Sequence, residues 1–579
     1  MRRAMRRSQG SWGIVAALAV AACSSTSGES VSGSGSFPGG SDFGSGGSGS
    51  VNLGPSSNAG AAAVVVPPEQ EEDLSYRAPV VSGRWVWTAN PTTGKVAVVD
   101  AKSFGVRLAD AGVAPTFLTA LPSSANTSRA LVINTGSHDA TLLSAGATGA
   151  VKAVGPIPLS ADVNAWQVSR TGKFALAWTD SHALTPDPTQ GYQDISVVDL
   201  RGASPLATRL VVGFLPSRVF IDDAETHAYV VATSGITVID LVGSPAPRVL
   251  KEEPVTSDPH EDASTRDVSV TPDGSYALIR HDGSNLVTLL DLATGDLSPV
   301  SLPGAITDLD LAPDAKSALA VVRGDDLPPA QSAGSAGAGG EGGEGVDGEP
   351  AAAGSGSSIL AILPIPGIFS DPTVFDTVSV AGEVFGLVNI APQGSQALLY
   401  TNAVSNSHVT LLDTAHGTAH GATYLSHRTI DVHGYVHEVF PSPDGAYAIA
   451  SLLPTTAGGK PGFAAIPVTS ALPPRVQTTD APVFAVAQSA GSAARAVITV
   501  SDGKTNFAAY IVRMPELVVD TVKLPSRPLT NATGLVPDAG VAYIAQEHPQ
   551  GRITFINLET GVPRTITGFE ISAKVTDGN

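Results

Sequence analysis

A short turn motif recurs along this chain and restricts its fold more than any other feature. Pro-Asp-Gly or a close variant stands between two apolar runs, most clearly in TPDGSYALI (271–279), SPDGAYAIA (442–450), APDAKSALAVV (312–322) and APQGSQALLYT (391–401). Proline fixes φ, aspartate bonds to its own backbone and glycine tolerates a positive φ, as a tight hairpin requires. The motif therefore predicts antiparallel strand pairs spaced along the whole chain.

A second element follows each hairpin, namely an apolar run that ends in an acidic or amide residue. The runs include VAVVD (96–100), SVVDL (196–200), TVIDL (237–241), TLLDL (288–292), TLLDT (410–414) and TFINL (554–558). Asp or Asn at a strand end starts an Asx turn. All these runs are short, rich in Val, Ile, Leu and Thr, and interrupted by Gly or Pro. They predict consecutive antiparallel strands and almost no helix.

The two elements together define a repeat unit. Complete units begin near residues 115, 163, 218, 266, 305, 383, 435, 483 and 529. Most spacings are about 39–55 residues, which accommodates four short strands and is typical of a β-propeller blade. A partial unit at 84–110 brings the count to about ten, although propellers usually have four to eight blades. The count leaves open one large ring or two rings in tandem.

The ends of the repeat array predict how the ring closes. The segment 84–110 has no Pro-Asp-Gly element before it, whereas GFEISAKV (568–575) follows a complete unit and alternates like a spare strand. We therefore expect the C-terminal strand to be donated to the first blade, which would remove a sheet edge.

In its Pro-Asp-Gly hairpins and its Val-Ile-Asp-Leu strand ends, the chain resembles the bacterial and archaeal propellers named for their Tyr-Val-Thr-Asn repeats. The resemblance covers about 500 residues. It implies an all-β propeller of four-stranded antiparallel blades. The pattern is specific for the fold and not for an activity, since similar repeats occur in binding proteins, lactonases and lyases.

The N-terminus predicts export and lipid anchoring. Its first residues include four arginines and no acidic residue, and an apolar stretch follows from Trp12 to Ala22. That stretch is too short to span a bilayer and fits a signal peptide over residues 1–22. It ends in Val-Ala-Ala before Cys23, the single cysteine, and so resembles the lipobox of bacterial lipoproteins. The resemblance implies that Cys23 is lipidated; an ordinary secretory signal with a chance cysteine is the alternative.

Lipidation would set the location and the domain organisation. The protein would be extracytoplasmic, and Ser24 after the cysteine suggests the outer membrane of a Gram-negative host, at its periplasmic face or at the cell surface. Residues 23–80 would form a Gly/Ser-rich tether, too poor in apolar side chains to fold. Residues 81–579 would form the propeller array, with a disordered insertion at 328–358.

Composition excludes several classes of function. With 33 basic and 53 acidic residues the net charge is −20, which disfavours binding to nucleic acid. One cysteine excludes a disulfide framework and a thiolate metal cluster. The sequence contains no nucleophile elbow, phosphate-binding Gly-rich loop, zinc-protease helix or dinucleotide-binding pattern. It therefore offers no catalytic residue and argues for no cofactor apart from the metal considered next.

A histidine cluster is the most specific chemical feature of the sequence. Six of the 12 histidines fall within about 30 residues, namely His408, His416, His420, His427, His433 and His437. His416 and His420 share a predicted loop, where their spacing brings both imidazoles to one ion. Neutral imidazole suits Zn²⁺ or Cu²⁺, so His416, His420 and His427 form the predicted metal site. The alternative is a solvated blade edge without metal.

Two other sets of residues have a structural and a functional interpretation. The acidic pairs Asp222–Asp223, Asp308/Asp310 and Asp325–Asp326 suit calcium, but acidic residues are also expected in blade turns. Trp85, Trp87, Trp166 and Trp178 suit a binding face, but alternate positions of a strand more often belong to the core. We expect the structural role for both sets.

Three classes of function remain open for such a propeller. The first is a membrane-anchored binding or scaffold module for a protein, peptide or glycan, and the second is a structural component of the cell envelope. The third is a propeller hydrolase or lyase with its active site at the channel mouth. Convergence of His, Asp, Glu and Arg side chains at the channel would favour the enzyme, whereas an apolar plug would count against it.

Overall fold

The computed structural model describes residues 76–124, 127–180, 183, 190–258, 261–322, 358–380, 382–394, 396–414, 426–491 and 494–570, and the backbone of 574–577. Strands are the main element of this part of the chain, which also has one single-turn helix, α1 (Gly367–Ser370), and two 3-10 turns at Ala263–Thr265 and Pro537–Ala539. Within it, no helix is long and apolar enough to cross a membrane. Cys23 and the predicted insertion up to residue 357 lie outside the described residues.

The described strands form ten antiparallel sheets, the blades, each built from strands that follow one another in the chain. Blade 1 comprises β1 (Val80–Ser82), β2 (Trp85–Asn90), β3 (Lys95–Asp100) and β4 (Val106–Asp110). Blade 2 comprises β5 (Pro115–Ser124), β6 (Thr127–Asn134), β7 (Asp139–Gly146) and β8 (Val151–Pro158). Blade 3 comprises β9 (Ala165–Val168), β10 (Phe174–Trp178), β11 (Asp194–Asp199) and β12 (Leu206–Val211). Blade 4 comprises β13 (Arg218–Ile221), β14 (His227–Val231), β15 (Ile236–Asp240) and β16 (Arg248–Glu253). Blade 5 comprises β17 (Arg266–Val270), β18 (Tyr276–His281), β19 (Leu286–Asp291) and β20 (Leu297–Ser301).

The second half of the array continues in the same order. Blade 6 comprises β21 (Ile306–Leu311), β22 (Ser317–Val322), β23 (Ile359–Pro364) and β24 (Asp376–Ser379). Blade 7 comprises β25 (Leu387–Ile390), β26 (Gln396–Tyr400), β27 (His408–Asp413) and β28 (His427–Asp431). Blade 8 comprises β29 (Tyr435–Pro441), β30 (Tyr447–Leu453), β31 (Gly462–Pro467) and β32 (Arg475–Thr478). Blade 9 comprises β33 (Val483–Gln488), β34 (Arg495–Ser501), β35 (Phe507–Arg513) and β36 (Val518–Lys523). Blade 10 comprises β37 (Pro528–Val536), β38 (Val541–Gln546), β39 (Arg552–Asn557), β40 (Pro563–Thr567) and β41 (Lys574–Asp577).

The Pro-Asp-Gly motif forms the predicted hairpin between the first two strands of a blade. In blade 5, Asp273 accepts a hydrogen bond from the Thr271 hydroxyl (2.6 Å), and the Thr271 hydroxyl oxygen in turn accepts one from the backbone N–H of Tyr276 (3.0 Å). Gly274 has φ +70°, a conformation that side chains with a Cβ rarely adopt. The hairpin prediction is confirmed.

Where a third strand ends in an acidic or amide residue, that residue forms the predicted Asx turn in blades 1, 3, 4, 5 and 10. Asp240 accepts from the backbone N–H of Val242 (3.0 Å), and Asp291 accepts from that of Ala293 (2.8 Å). Each turn leads into the outer strand of its blade. Because these turns depend on contacts two residues apart, the sequence alone predicts them.

The middle strands are apolar on both sides because both sides are buried. All six residues of β2 are buried. Trp85 and Trp87 pack between blades 1 and 2, whereas Val86 between them packs between blades 10 and 1. A strand with two buried faces reads as a continuous apolar run, as these do.

Packing between blades closes the structure into one ring. In the described residues, ten clusters of buried side chains each join two neighbouring blades. An open array of ten blades would have nine such interfaces. The tenth joins blade 10 to blade 1, with Phe555 and Ile566 packed against Val86 and Val99. The single ring is therefore the correct one of the two predicted arrangements.

The prediction that the C-terminal strand completes the first blade is wrong. Blade 1 has its own first strand, β1, which pairs with β2 through Val80–Trp87 and Ser82–Trp85. The C-terminal strand β41 pairs with β40 instead and extends the last blade to five strands. The sequence did not reveal β1 because only three residues form it and no Pro-Asp-Gly turn follows it.

Side chains near the two ends of the described chain join blade 1 to blade 10 in place of the expected donated strand. One oxygen of the Glu570 carboxylate accepts hydrogen bonds from the Tyr76 hydroxyl (2.6 Å), the Asn90 amide (2.8 Å) and the Thr93 hydroxyl (2.9 Å). The Tyr76 ring packs edge-on against Phe569. These contacts tie the start of blade 1 to the end of blade 10.

We predict that the Glu570 contacts stabilise the ring more than the last strand does. Glu570→Ala leaves three partly buried donors without an acceptor, which should cost about 2–3 kcal/mol of unfolding free energy. Truncation after residue 570 removes only an outer edge strand and should cost less. Urea unfolding followed by circular dichroism measures both, with the exposed Glu559→Ala on the same blade as control. A larger loss from the truncation would contradict closure by Glu570.

Candidate functional site

The first strand of each blade lies nearest the axis, and neighbouring first strands contact one another around much of the ring. One edge of each such strand lacks a partner strand, so its backbone groups need other hydrogen-bond partners. Polar side chains of adjacent blades supply several of them. Examples are Thr307 to the carbonyl of Gly386 (2.7 Å), Asn389 to that of Val439 (2.5 Å) and Gln488 to that of Phe440 (2.9 Å).

Carboxylates concentrate on the inner strands of blades 5 and 6. Asp267 on β17 accepts from Arg218 of blade 4 (3.2 Å) and lies 3.6 Å from the Arg280 guanidinium. Asp308 and Asp310 follow on β21, two residues apart and therefore on one side of the strand. Asp308 accepts from the backbone N–H of Val388 in blade 7 (2.8 Å). We call Asp267, Asp308 and Asp310 the inner acidic group.

The surroundings of Asp308 and Asp310 favour protonated carboxyls. Burial raises the pKa of Asp308 to about 6, against the effect of the Val388 N–H. Burial together with the charges of Asp308 and Asp267 raises the pKa of Asp310 to about 7. Both carboxyls therefore gain or lose a proton near neutral pH, unlike an ordinary aspartate.

The convergence of acidic and basic groups that would favour an enzyme is thus present in part. Arg218, Arg280 and the inner acidic group come from three successive blades. The carboxylates, however, already bind backbone groups or arginines. In the described residues, no group of three or more His, Cys, Asp or Glu side chains has the geometry of a metal site.

The remaining acidic pairs and the tryptophans have mostly structural roles. Asp222 is buried and accepts from the backbone N–H of Thr226 (2.7 Å) in a blade hairpin. Trp85, Trp87 and Trp178 are buried in the core, which confirms the expectation for them. Asp223 is exposed and lies 3.9 Å from Arg170. The Trp166 indole N–H donates to the Phe117 carbonyl (3.1 Å). Asp325 and Asp326 lie outside the described residues.

The histidine cluster is only partly within the described residues. His416 and His420 lie outside them, so the predicted metal site stays a prediction. His427 begins the outer strand β28 and is exposed, whereas His437 lies on the inner strand β29 of the next blade. His408 binds Glu383 through Nδ1 (2.9 Å). His427 and His437 therefore lie on strands of two different blades.

A pocket opens between blades 2 and 3 at one end of the ring, and sequence reasoning missed it. It is bounded by three segments, namely the loop between β6 and β7, the connection from β8 to β9, and residues 190–192 just before β11. Alternating strand directions bring these segments to the same end of their blades. The pocket volume is about 400 Å³, within the range of small-ligand sites.

Three residues that line the pocket have a left-handed backbone. They are His138 (φ +52°), Asp162 (φ +61°) and Tyr192 (φ +46°), one from each bounding segment. Such conformations cost free energy in residues other than glycine and cluster at ligand sites. The pocket is therefore a stronger candidate for ligand binding than its composition alone would indicate.

One lining side chain has an unused buried acceptor. Asn134 is fully buried, and its amide nitrogen donates to Asp139 (2.6 Å) and Thr141 (3.0 Å). Its Oδ1 has no hydrogen-bond partner among the described residues. Because a carboxylate accepts only, the Asp139 bond fixes which amide atom is the nitrogen. A buried acceptor without a partner is rare and calls for an explanation.

No protein-family model and no curated protein matches the sequence. The fold is similar to that of a eukaryotic initiation factor, at 12% identity and a TM-score of 0.44, over 76% of this chain and 94% of that one. It is also similar to that of dihydro-heme d1 dehydrogenase NirN in complex with DHE, at 12% identity and a TM-score of 0.40, over 78% of this chain and 73% of that one. A third similar structure is the β-propeller domain of Myceliophteria thermophila Cps50 (Swd1), at 13% identity and a TM-score of 0.30, over 66% of this chain and 96% of that one. These similarities concern the fold alone.

We predict that Asp308 and Asp310 make stability depend on pH. Both folded pKa values lie above the unfolded value of about 4, so the stabilisation is complete below pH 4 and is lost as pH rises through 6 to 7. Asp310→Asn still accepts a hydrogen bond but cannot ionise. It should raise the unfolding free energy by an amount on the order of 2 kcal/mol more at pH 8 than at pH 5.

Urea unfolding at the two pH values measures this difference. The control is Asp314→Asn, on the exposed hairpin of the same blade, which should be neutral at both. If Asp310→Asn has the same effect at pH 5 as at pH 8, Asp310 does not titrate in the folded ring.

Proposed function

We propose that this protein is a membrane-anchored, extracytoplasmic propeller of the Tyr-Val-Thr-Asn repeat type that acts as a binding module. The pocket between blades 2 and 3 is the observation that carries the binding role. A rigid ring holds its three bounding segments, and loops on a rigid scaffold are where binding residues concentrate. The ligand is a protein, peptide or glycan, and no nucleic acid binds.

The anchoring part of the proposal rests on the sequence. Two acyl chains on Cys23 would hold the protein stably on a bilayer without spanning it. Residues 24–75, between Cys23 and the first described residue, would belong to the Gly/Ser-rich tether. In a Gram-negative host we place the protein at the outer membrane, on its periplasmic face or at the cell surface.

Two other functions are weaker candidates. A structural component of the envelope would need no pocket, and the pocket therefore favours binding over it. A propeller hydrolase or lyase is favoured by the raised pKa values of Asp308 and Asp310, since a protonated carboxyl beside a carboxylate suits acid–base chemistry. Their hydrogen bonds to the backbone of blade 7 argue for a structural use of both carboxyls instead.

Lipid attachment has a direct test. Cys23→Ala removes the only thiol that can carry the acyl chains, so we expect the protein to move from the membrane fraction to the soluble extracytoplasmic fraction. Immunoblots of fractionated cells measure the shift, with Ser24→Ala as the matched control that should stay in the membrane. Equal membrane retention of both variants would contradict lipid anchoring through Cys23.

The pocket also has a direct test. Gln190 is exposed at the pocket, and Gln190→Trp would fill its opening without disturbing the buried core. Purified protein is applied to a peptide array and a glycan array. We expect at least tenfold weaker capture by Gln190→Trp than by wild type, and no change in Gln193→Trp, which is exposed nearby but does not line the pocket. Capture that is absent in wild type, or equal in the two variants, would contradict the binding role.

A further inference from the structure

We propose that the pocket between blades 2 and 3 selects a cationic group, the ammonium or guanidinium of a basic side chain in a partner peptide. This inference rests on the proposed binding function and names the class of ligand. Its support is the combination of an unused buried acceptor, an unpaired carboxylate and an exposed aromatic ring in one cavity.

The buried acceptor requires a ligand that donates hydrogen bonds. Both donors of the Asn134 amide are used, so only Oδ1 remains for a ligand. A buried oxygen without a partner destabilises the free protein, and a donor on the ligand would offset that cost. Ammonium and guanidinium groups bring donors only and no acceptor that would compete.

The charge of the pocket favours a cation. Asp162 is exposed, and its carboxylate has no hydrogen bond or ion pair among the described residues. No lysine or arginine lines the cavity, so neither of the permanently charged basic side chains opposes a bound cation there. The chain as a whole carries a net charge of −20, which attracts cations over a longer range.

The apolar wall suits the stem of a basic side chain. Phe117 is 37% exposed, and Ile133 and Val163 line the cavity beside it. An aromatic face attracts a cation, and aliphatic walls bury the methylene groups of Lys or Arg. A phosphate or carboxylate ligand would meet no lysine or arginine among the residues that line this pocket.

A sugar is the main competing ligand, because its hydroxyls also donate to Asn134 and its ring packs on aromatic faces. The carboxylate of Asp162 decides between the two, since a neutral sugar gains little from an unpaired charge. Removal of that charge alone therefore separates the two classes.

Calorimetric titration of the full-length protein tests the inference. The probes are acetyl-Gly-Lys-Gly-amide, the same peptide with Arg, the neutral peptide with norleucine, free 1,5-diaminopentane and N-acetylchitotriose. We expect the Lys or Arg peptide to bind at least tenfold more tightly than the norleucine peptide, with affinity falling as salt is raised. Binding of diaminopentane at the strength of the peptides would identify a free amine as the ligand source.

The key variant is Asp162→Asn, because asparagine tolerates the left-handed backbone that Asp162 adopts. This substitution should weaken binding of the cationic peptide about tenfold and leave the affinity for the norleucine peptide unchanged. The matched control is Asp223→Asn. Asp223 is an exposed carboxylate on the hairpin between β13 and β14 and does not line the pocket, so its substitution should change the affinity for neither peptide. Thermal unfolding confirms that both variants fold.

Several outcomes would overturn the inference and still spare the proposed function. They are equal affinity for Lys and norleucine peptides, unchanged affinity in Asp162→Asn, or tight binding of N-acetylchitotriose that Gln190→Trp abolishes. Absence of any ligand in both the arrays and the titrations would instead remove the binding function itself.

Discussion

The structure depends on the burial of both faces of every blade. Residues next to each other in a middle strand point to opposite sides, as Val86 and Trp87 do, and both sides are apolar. A blade at the end of an open array would expose one apolar face to water, so each blade needs a neighbour on either side. Only a closed ring gives every blade two neighbours. The ten interfaces therefore stabilise one another, and Glu570 adds polar contacts where the two chain ends meet.

Closure of the ring creates a second constraint at its axis. The first strand of each blade is a sheet edge there, and polar side chains of neighbouring blades satisfy part of its backbone. Asp308 and Asp310 do so for blade 7 and become partly desolvated as a result, which raises the pKa of each. The same carboxyls thus join two blades and respond to pH near neutrality. Their position at the axis needs no catalytic role to explain it.

The pocket follows from the geometry of adjacent blades. Loops that leave two neighbouring blades at the same end meet over their shared interface, and His138, Asp162 and Tyr192 adopt left-handed backbones there. Phe117 on the inner strand β5 and Asn134 at the end of the middle strand β6 also line the cavity. A rigid ring with variable loops is a common design for binding surfaces.

By itself the sequence determined the local units of this protein. The hairpins, the Asx turns and the starts of nine blades were predictable because they depend on residues a few positions apart, such as Thr271 and Asp273. Tertiary structure alone decided that ten blades form one ring, that β41 extends the last blade, and that Asn134 and Asp162 line one pocket. Those outcomes depend on contacts between distant residues, as between Tyr76 and Glu570. Local periodicity carries no record of such contacts, because each blade has the same pattern wherever it lies in the ring.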